Sequence, residues 1–533
     1  MDVLKDFSGK DMIEQIDLLE DINLRKLTSA APALFDLYAG ASLDKAVEQV
    51  VYHTLFSLLD DEAGLIEKGL MHPSSRIRLL AIRKVCEQPF RHAMPILCRL
   101  LSRETDPQLI GETIRALGRF DAPALVDTLL PYLEHDDYTV VGWALEILRG
   151  QKDSRIPAAL LAQTAKHMDE ARDGLDCDLR LAMLVTALGG YAEKPVIDFL
   201  IPHIHHANPT LRRLVVSALA GMGREVLPAL GRCLESGDRG EKIMAANILG
   251  LIDERHAAEV LIDSLEAGEM DSNFKFAVYE ALGRINSIVS TIGLSDGLDD
   301  NNELVLVAVL DGLEKRFNPG VVQMMQKKLA EDGRKTQGII DALLIARAGK
   351  LFVALYKEPK FAELLRDGLK RSHDRETMAF FCRRLNEAGM EGEALAAALP
   401  AGEERKMGQE KRIVAADDSN AMLYFYKAVA AEMQVALTVA RDGAEALKYF
   451  HTNPEVDLLI TDMNMPNMTG VELTSELRRI DRWKALPILM ATTESEADKQ
   501  QVARHAGVND FLSKPFSKET LKRKLAEMLG IPA

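Results

Sequence analysis

The chain has 533 residues, of which 47% are hydrophobic, 27% charged and 5% aromatic, and its formal net charge is −16. This length exceeds what one hydrophobic core organises, so we expect two to four domains of ordinary soluble composition. The acidic balance disfavours binding to nucleic acid or to anionic membranes, because both attract basic surfaces. No apolar run approaches the ~18 residues that a membrane-spanning helix needs, and the amino terminus lacks a secretion signal. We therefore expect a cytoplasmic protein without membrane insertion.

The first three quarters of the chain predict an array of short helices. Residues 1–60 have helical patterns and are predicted to cap the array. Over residues 61–330 an Ala-Leu-Gly-like pattern recurs at intervals of 32, 31, 40, 31, 30 and 33 residues, and its central residues are Val85, Leu117, Leu148, Leu188, Leu219, Leu249 and Leu282. Each interval fits two short helices that cannot bury their apolar faces alone. Stacking of neighbouring units buries those faces, so we predict an all-α superhelical solenoid.

By this period and its turn pattern, residues 61–330 resemble HEAT repeats. The resemblance implies a groove that binds a protein partner, whose identity the sequence leaves unknown. A TPR-type or irregular α-solenoid is the alternative, although the usual TPR pattern of aromatic residues and proline is not evident. Residues 331–399 are predicted to extend the helical part without the repeat register. Residues 400–410 have little apolar content and are predicted to be a linker.

The remaining residues, 411–533, alternate between predicted strands and helices. This alternation is typical of a doubly wound α/β domain, and we predict a five-stranded parallel sheet. The predicted helices cover residues 419–433, 443–452, 470–480, 495–506 and 517–529.

Polar residues follow the predicted strands of this domain. Asp417 and Asp418 follow the first strand, Asp462 ends the third, Thr492 ends the fourth and Lys514 follows the fifth. The carboxyl ends of parallel strands share one edge of the sheet, so these side chains are predicted to meet there. Three acids at one point need a cation, and Mg²⁺ prefers oxygen ligands. A metal and a fixed ammonium would together stabilise phosphoryl transfer to Asp462, while the Thr492 hydroxyl would donate to a phosphoryl oxygen.

These residue types and spacings resemble the receiver domains of two-component response regulators. The acidic pair precedes Asp462 by 45 and 44 residues, Thr492 follows it by 30, and Lys514 follows Thr492 by 22. The resemblance implies that Asp462 is the phosphoacceptor. It also implies that Asp417, Asp418, Asp462 and the backbone carbonyl of Asn464 hold Mg²⁺.

The loop from Asp462 to Gly470 is most similar to that of single-domain chemotaxis regulators. The resemblance implies that Phe511 is the switch aromatic and that the peptide bond after Lys514 is cis. It also implies that Asn464 and Glu494 occupy positions that tune dephosphorylation. The phosphoryl donor implied is a histidine kinase or a phosphotransfer protein.

Two functions fit this organisation. The leading hypothesis is a response regulator in which phosphorylation of Asp462 controls protein–protein interaction through the HEAT-like scaffold. The alternative is a constitutive scaffold of a signalling complex, in which the receiver only drains phosphoryl groups. We expect no enzymatic activity beyond the receiver's own phosphoryl acceptance and dephosphorylation. The chain contains no His-Glu dipeptide of the kind that holds di-iron in HEAT-repeat hydroxylases, and no phosphate-binding Gly-rich loop followed by Lys-Ser or Lys-Thr.

Overall fold

The computed structural model describes most of the chain, and its described residues form two compact units. Unit 1 comprises Met1–His167 and Leu179–Ala187, and unit 2 comprises Met168–Asp178 and Leu188–Ala533. The described residues are 4 and 6–531 without 41–42, 61, 91, 121, 123, 171–177, 267–270, 332, 373–374, 391, 393–394, 397–410, 454 and 493–496. The predicted linker therefore lies outside the described residues.

All regular secondary structure in the described residues of unit 1 is helical. It contains α1 (Met12–Leu24), α2 (Ala31–Gly40), α3 (Lys45–Leu58), α4 (Ala63–Leu70), α5 (Ser75–Glu87), α6 (Ala93–Leu101), α7 (Pro107–Leu117), α8 (Ala124–Leu129), α9 (Tyr138–Arg149) and most of α10 (Arg155–Glu170) and α11 (Leu179–Leu188). Helix α5 packs on α7, and α7 packs on α9. The pattern residues Val85, Leu117 and Leu148 of these helices are buried, so the repeat motif marks the stacked faces within this unit.

Unit 2 contains a second run of helices, here called the distal repeats. They are α12 (Lys194–Leu200), α13 (Pro209–Gly221), α14 (Leu227–Ser236), α15 (Arg239–Leu251), α16 (Arg255–Glu266), α17 (Ser272–Arg284), α18 (Ile288–Asp296), α19 (Glu303–Lys315), α20 (Pro319–Glu331), α21 (Gly333–Ile345), α22 (Gly349–Tyr356), α23 (Pro359–Arg371) and α24 (Arg375–Glu387). Polar caps fix several starts. The Asn208 side chain, for example, accepts the Leu211 N–H at 3.0 Å while Pro209 opens α13.

Every second helix of the distal repeats packs against the next. Helix α15 packs on α17, α17 on α19, α19 on α21, and α21 on α23. The alternate set α20, α22 and α24 stacks in the same way. This packing continues past residue 330, where the sequence motif ends, so loss of the motif does not end the stacking of helix pairs. The predicted helical array is confirmed.

The residues from 411 onward form the C-terminal domain. Its elements are β1 (Arg412–Ala416), α25 (Asn420–Glu432), β2 (Ala436–Ala440), α26 (Gly443–Thr452), β3 (Leu458–Asp462), α27 (Gly470–Arg479), β4 (Ile488–Thr492), α28 (Ala497–Ala506), β5 (Asp510–Ser513) and α29 (Lys518–Leu529). All strand pairs are parallel and the order is β2-β1-β3-β4-β5. The predicted five-stranded α/β domain is confirmed.

The central strands of this sheet are buried on both faces. Leu459, Ile488 and Met490 are fully enclosed, and the ring of Trp483 packs edge-on against Phe450 at 5.1 Å between centroids. Burial on both faces is why strands β3 and β4 are near-continuous apolar runs. The polar residues at their carboxyl ends therefore stand out in the sequence.

In the described part of the chain, no single helix has the length and apolar character needed to cross a membrane. The pair Pro209–Gly221 and Gly223–Ser236 satisfies the criterion only when taken together, and it is bent by 114°.

Helices α15 and α17 approach each other closely at Gly250. A Cβ atom at this position would lie 2.7 Å from both Cα and Cβ of Ala281. We predict that Gly250→Ala lowers the free energy of unfolding of unit 2 by roughly 1–3 kcal/mol, because the two helices must separate. The denaturant midpoint followed by far-UV circular dichroism measures this change.

Gly221 provides the matched control, because no atom lies within 4 Å of a Cβ built there. We expect Gly221→Ala to leave stability unchanged or to raise it by up to about 1 kcal/mol through helix propensity. Equal midpoints for the two variants would show that close helix approach at Gly250 is not required.

Candidate functional site

Three strand ends bring acidic and basic side chains together in the C-terminal domain. Asp417 follows β1, Asp462 ends β3, and Lys514 follows β5. The Lys514 ammonium lies 2.7 Å from Asp417 Oδ2 and 2.7 Å from Asp462 Oδ1. The side chains of Asp417 and Lys514 are at most 5% exposed, so this ion-paired group lies almost out of water.

The local backbone fixes the orientation of both carboxylates. Asp417 Oδ1 accepts the Ser419 N–H at 3.0 Å, and its Oδ2 accepts the Tyr426 hydroxyl at 3.2 Å. Asp462 Oδ2 accepts the Asn464 N–H at 2.8 Å. Each acid is therefore held by a donor from the loop or helix that follows its own strand.

Gly470 lets the loop after Asp462 close tightly. Its N–H donates to the Met463 carbonyl at 3.1 Å, and a Cβ at this position would lie 2.0 Å from the Asp462 carbonyl oxygen. A side chain here would push the start of α27 away from β3. This explains a glycine at the end of a loop that carries the site.

Burial shifts the protonation equilibria of these groups. It raises the pKa of Asp417 to about 8, with Lys514 opposing the shift and the charges of Asp462 and Asp418 adding to it. Burial likewise raises the pKa of Asp418 and of Asp462. Burial disfavours the charged form of Lys514, but the two carboxylates hold its pKa well above the usual value. If all three acids were ionised, they would carry more negative charge than Lys514 alone neutralises, so the site favours either a bound proton or a further cation.

The site opens into a cavity of about 450 Å³ that the distal repeats also line. Arg284, the last residue of α17, donates from Nη2 to Asp418 Oδ2 at 3.1 Å. Arg212 of α13 donates from Nε to Asn464 Oδ1 at 2.9 Å. The predicted site therefore lies against helices that precede it by more than a hundred residues.

The structure brings most of the predicted site residues together. The cavity is lined by Asp417, Asp418, Asp462, Asn464 and Lys514. The remaining positions lie apart from this lining or outside the described part.

Thr492 ends β4, is buried, and its carbonyl accepts the Lys514 N–H at 2.8 Å. Phe511 is half-buried on β5, and the Arg504 guanidinium carbon lies 5.0 Å from its ring centroid. The peptide bond between Lys514 and Pro515 is cis, as expected. Glu494 lies outside the described residues.

Sequence reasoning missed three residues at this site. Tyr426 lies nine positions after Asp417, two turns into α25, so helical spacing was a usable signal. Arg212 and Arg284 lie on repeat helices 252 and 134 residues from their partners Asn464 and Asp418. No local pattern indicates those contacts.

The donor chemistry fits a hard divalent cation. Among the described residues, no three or more His, Cys, Asp and Glu side chains are already arranged around a metal position. Instead, Asp417 and Asp462 contact Lys514, and Asp418 contacts Arg284. The ligand atoms available are nevertheless carboxylate oxygens, and they face a cavity that has space for water.

Comparison with known proteins agrees with this geometry. The family model for the response regulator receiver domain matches residues 413–526, and the model for HEAT repeats matches 62–149 and 94–173. The Helicobacter pylori chemotaxis protein CheY1 is 36% identical over 120 residues, which cover 22% of this chain and 97% of that protein. The chain belongs to the response-regulator receiver family. Its C-terminal domain is the receiver domain, and HEAT repeats precede it.

Two further proteins are similar to a comparable share of this chain. The Pseudomonas aeruginosa chemotaxis protein CheY is 37% identical over 118 residues, which cover 22% of this chain and 94% of that protein. The structure of Vibrio cholerae CheY4 at low pH is 34% identical and covers 22% of this chain and 99% of that chain, with a TM-score of 0.22.

Lys514 is the buried cation that two carboxylates of the receiver domain share. We predict that Lys514→Met lowers the free energy of unfolding of the receiver domain by roughly 3–5 kcal/mol in the absence of metal, because both acids lose their partner. Urea unfolding in a Trp143→Phe background measures this, since Trp483 is then the only tryptophan.

Lys411→Met is the matched control, because Lys411 pairs with Asp457 at 2.9 Å but is 37% exposed. We expect Lys411→Met to lower the free energy of unfolding of the receiver domain by less than about 1 kcal/mol. A Lys514→Met change no larger than that of the control would contradict the assigned role of the buried ion pairs.

Proposed function

We propose that this protein is a cytoplasmic two-component response regulator that accepts a phosphoryl group on Asp462. The observation that carries the proposal is the geometry around Lys514, whose ammonium contacts the acceptor and a second acid at 2.7 Å each. A carboxylate beside a fixed ammonium is chemically suited to accept a phosphoryl group, because the ammonium neutralises charge on the phosphoryl oxygens. The receiver family and its chemotaxis relatives support the same assignment.

Mg²⁺ is the cofactor that we propose for this site. Asp417, Asp418, Asp462 and the backbone carbonyl of Asn464 would hold it, as the family resemblance implies. When bound, it supplies positive charge that stabilises the transferring phosphoryl group. The chain's own contribution is to orient Asp462 through the Asn464 N–H and to hold Asp417 through Ser419.

The transfer step uses an Asp462 oxygen as the nucleophile. It attacks the phosphorus of a phosphohistidine on a histidine kinase or phosphotransfer protein. The new bond joins that oxygen to phosphorus while the phosphorus–nitrogen bond breaks, and the imidazole leaves with the bonding electrons and takes up a proton. Water later attacks phosphorus, restores the carboxylate and releases phosphate, and we propose that Asn464 and Glu494 tune this step.

The conformational switch that we propose begins when the phosphoryl group on Asp462 places negative charge beside the ends of β4 and β5. A phosphoryl oxygen on Asp462 would accept a hydrogen bond from the Thr492 hydroxyl at the end of β4. Movement of Thr492 frees space for Phe511, which is half-buried on the neighbouring strand. The surface formed by α28, β5 and α29 then changes, which is a local event that biases a two-state element.

The repeats are the proposed output of this switch. Receiver helix α25 packs against α19 and α21 of the distal repeats. Lys518, the first residue of α29, lies 3.1 Å from Glu303 at the start of α19. A change in the receiver therefore reaches repeat helices by direct contact. We propose that these repeats bind or release a protein partner in response.

Phosphorylation is tested with acetyl phosphate and Mg²⁺ on the full chain. We predict incorporation of one phosphoryl group that is removed by hydroxylamine, as an acyl phosphate should be, and its complete loss in Asp462→Asn. Intact-protein mass spectrometry and phosphate-affinity electrophoresis measure the stoichiometry.

Asp481→Asn is the control, because Asp481 is an exposed acid that pairs within its own segment, with Lys484 at 2.6 Å. It should accept phosphate like the unmodified chain. No incorporation into the unmodified chain at saturating donor, or undiminished incorporation in Asp462→Asn, would reject the proposed function.

A further inference from the structure

The distal repeats supply positive charge to the receiver site. The cavity is lined by four acidic side chains, Glu280, Asp417, Asp418 and Asp462, and by four basic ones, Lys514, Arg212, Arg213 and Arg284. Three of the four basic groups are arginines of α13 and α17. The repeats therefore balance acids that Lys514 alone leaves in excess.

Arg284 makes the contact that bears most directly on metal binding. Its Nη2 lies 3.1 Å from Asp418 Oδ2 and 3.7 Å from Glu280 Oε1, one turn earlier on the same helix. The Arg284 side chain is 24% exposed and that of Asp418 is 30% exposed. Both side chains line the cavity.

Arg284 is placed by closely packed helices. Gly283 of α17 faces Gly312 of α19, and a Cβ at Gly283 would lie 3.5 Å from the Gly312 Cα. The backbones of α17 and α19 are therefore in near contact just before Arg284. A residue on such a fixed helix end cannot withdraw from Asp418 without movement of the receiver or a change of its own rotamer.

Further contacts hold the receiver on the distal repeats. Arg212 donates to Asn464, and the Thr210 hydroxyl hydrogen-bonds the Glu472 carboxylate of α27. Lys518 pairs with Glu303 at 3.1 Å on the side of α19. These contacts, together with packing of α25 on α19 and α21, make one continuous interface that includes the mouth of the site.

We propose that Arg284 takes the place of a divalent cation at Asp418, so that metal binding and docking of the distal repeats on the receiver oppose each other. This inference rests on the proposed function, in which Asp418 is a metal ligand. A guanidinium and a divalent cation repel each other, so the Asp418 carboxylate binds each of them less strongly when the other is present. By linkage, each event weakens the other by the same factor. Docking of the distal repeats then inhibits metal binding at the receiver site whose phosphorylation is proposed to control those repeats.

The docked arrangement also restricts the phosphoryl donor. Asp462 is only 8% exposed, and its surroundings include side chains of α13, α15 and α17. A protein donor must bring its phosphohistidine to Asp462 past these helices, whereas a small phosphodonor has only to enter the cavity of about 450 Å³.

Mn²⁺ binding to the full chain tests the proposal without any phosphodonor. Free Mn²⁺ is measured by electron paramagnetic resonance, and Asp418→Asn establishes which bound ion belongs to this site. We predict that Arg284→Gln tightens Mn²⁺ binding by roughly tenfold. Glu303→Gln, which weakens docking away from the metal ligands, should tighten it by a smaller factor of about two or three, given the low worth of a partly exposed ion pair.

Arg255→Gln is the matched control, because Arg255 also pairs along its own helix, with Glu259 at 2.9 Å. It should leave Mn²⁺ affinity unchanged, and circular dichroism checks that all variants fold. Unchanged or weaker affinity in either Arg284→Gln or Glu303→Gln overturns the proposal. Absence of Mn²⁺ binding in every variant instead rejects the metal site itself, and with it the proposed function's cofactor and this inference.

Discussion

The acidic side chains at the carboxyl edge of the parallel sheet, which Lys514 alone does not neutralise, impose the main electrostatic constraint on this structure. Asp417 and Asp462 are buried there, and burial raises the pKa of both. Lys514 offsets part of the charge from inside the receiver. Protons can remove part of the remaining charge. The arginines of the distal repeats line the same cavity and supply positive charge to it, and the proposed Mg²⁺ would do so when bound.

The repeats matter to this chemistry because their close packing positions Arg284. Glycines let the backbones of α15, α17 and α19 approach each other closely, and this close approach positions the C-terminal end of α17. Arg284 lies at that end and faces Asp418. Besides offering a binding surface, this array of helices therefore places a positive charge beside an acidic side chain of the receiver site. Helix α19, on which α17 packs, also packs against α25, so the helices that position Arg284 are in contact with the receiver.

Sequence predicted the receiver fold well because its signals are local. Apolar strands end in Asp462 or are followed at once by Asp417 and Lys514, and helix bounds agree with the predicted ones to within about two residues. The repeat motif predicted stacked helices but not their extent, because α20 to α24 pack in the same way without the Ala-Leu-Gly pattern. Burial of an apolar face requires only helical periodicity, and many sequences satisfy it.

The interface between distal repeats and receiver was not predictable in this way. The sequences around Arg212 and Arg284 show only the helical pattern of their own repeats. Arginine is mostly a surface residue, so neither position suggests a contact with the receiver. Their significance comes from tertiary placement against Asn464 and Asp418 across 252 and 134 residues of chain. A sequence pattern with a period near 32 residues contains no information on which helix end meets the C-terminal domain.

Anomalous diffraction from crystals of the full chain grown with Mn²⁺ locates the metal and the side chains around it, and so shows whether Mn²⁺ and Arg284 exclude each other at Asp418. We predict Mn²⁺ bound by Asp418 with the Arg284 guanidinium moved out of contact with that carboxylate. Mn²⁺ bound at Asp418 while Arg284 remains within hydrogen-bonding distance of the same carboxylate would contradict it.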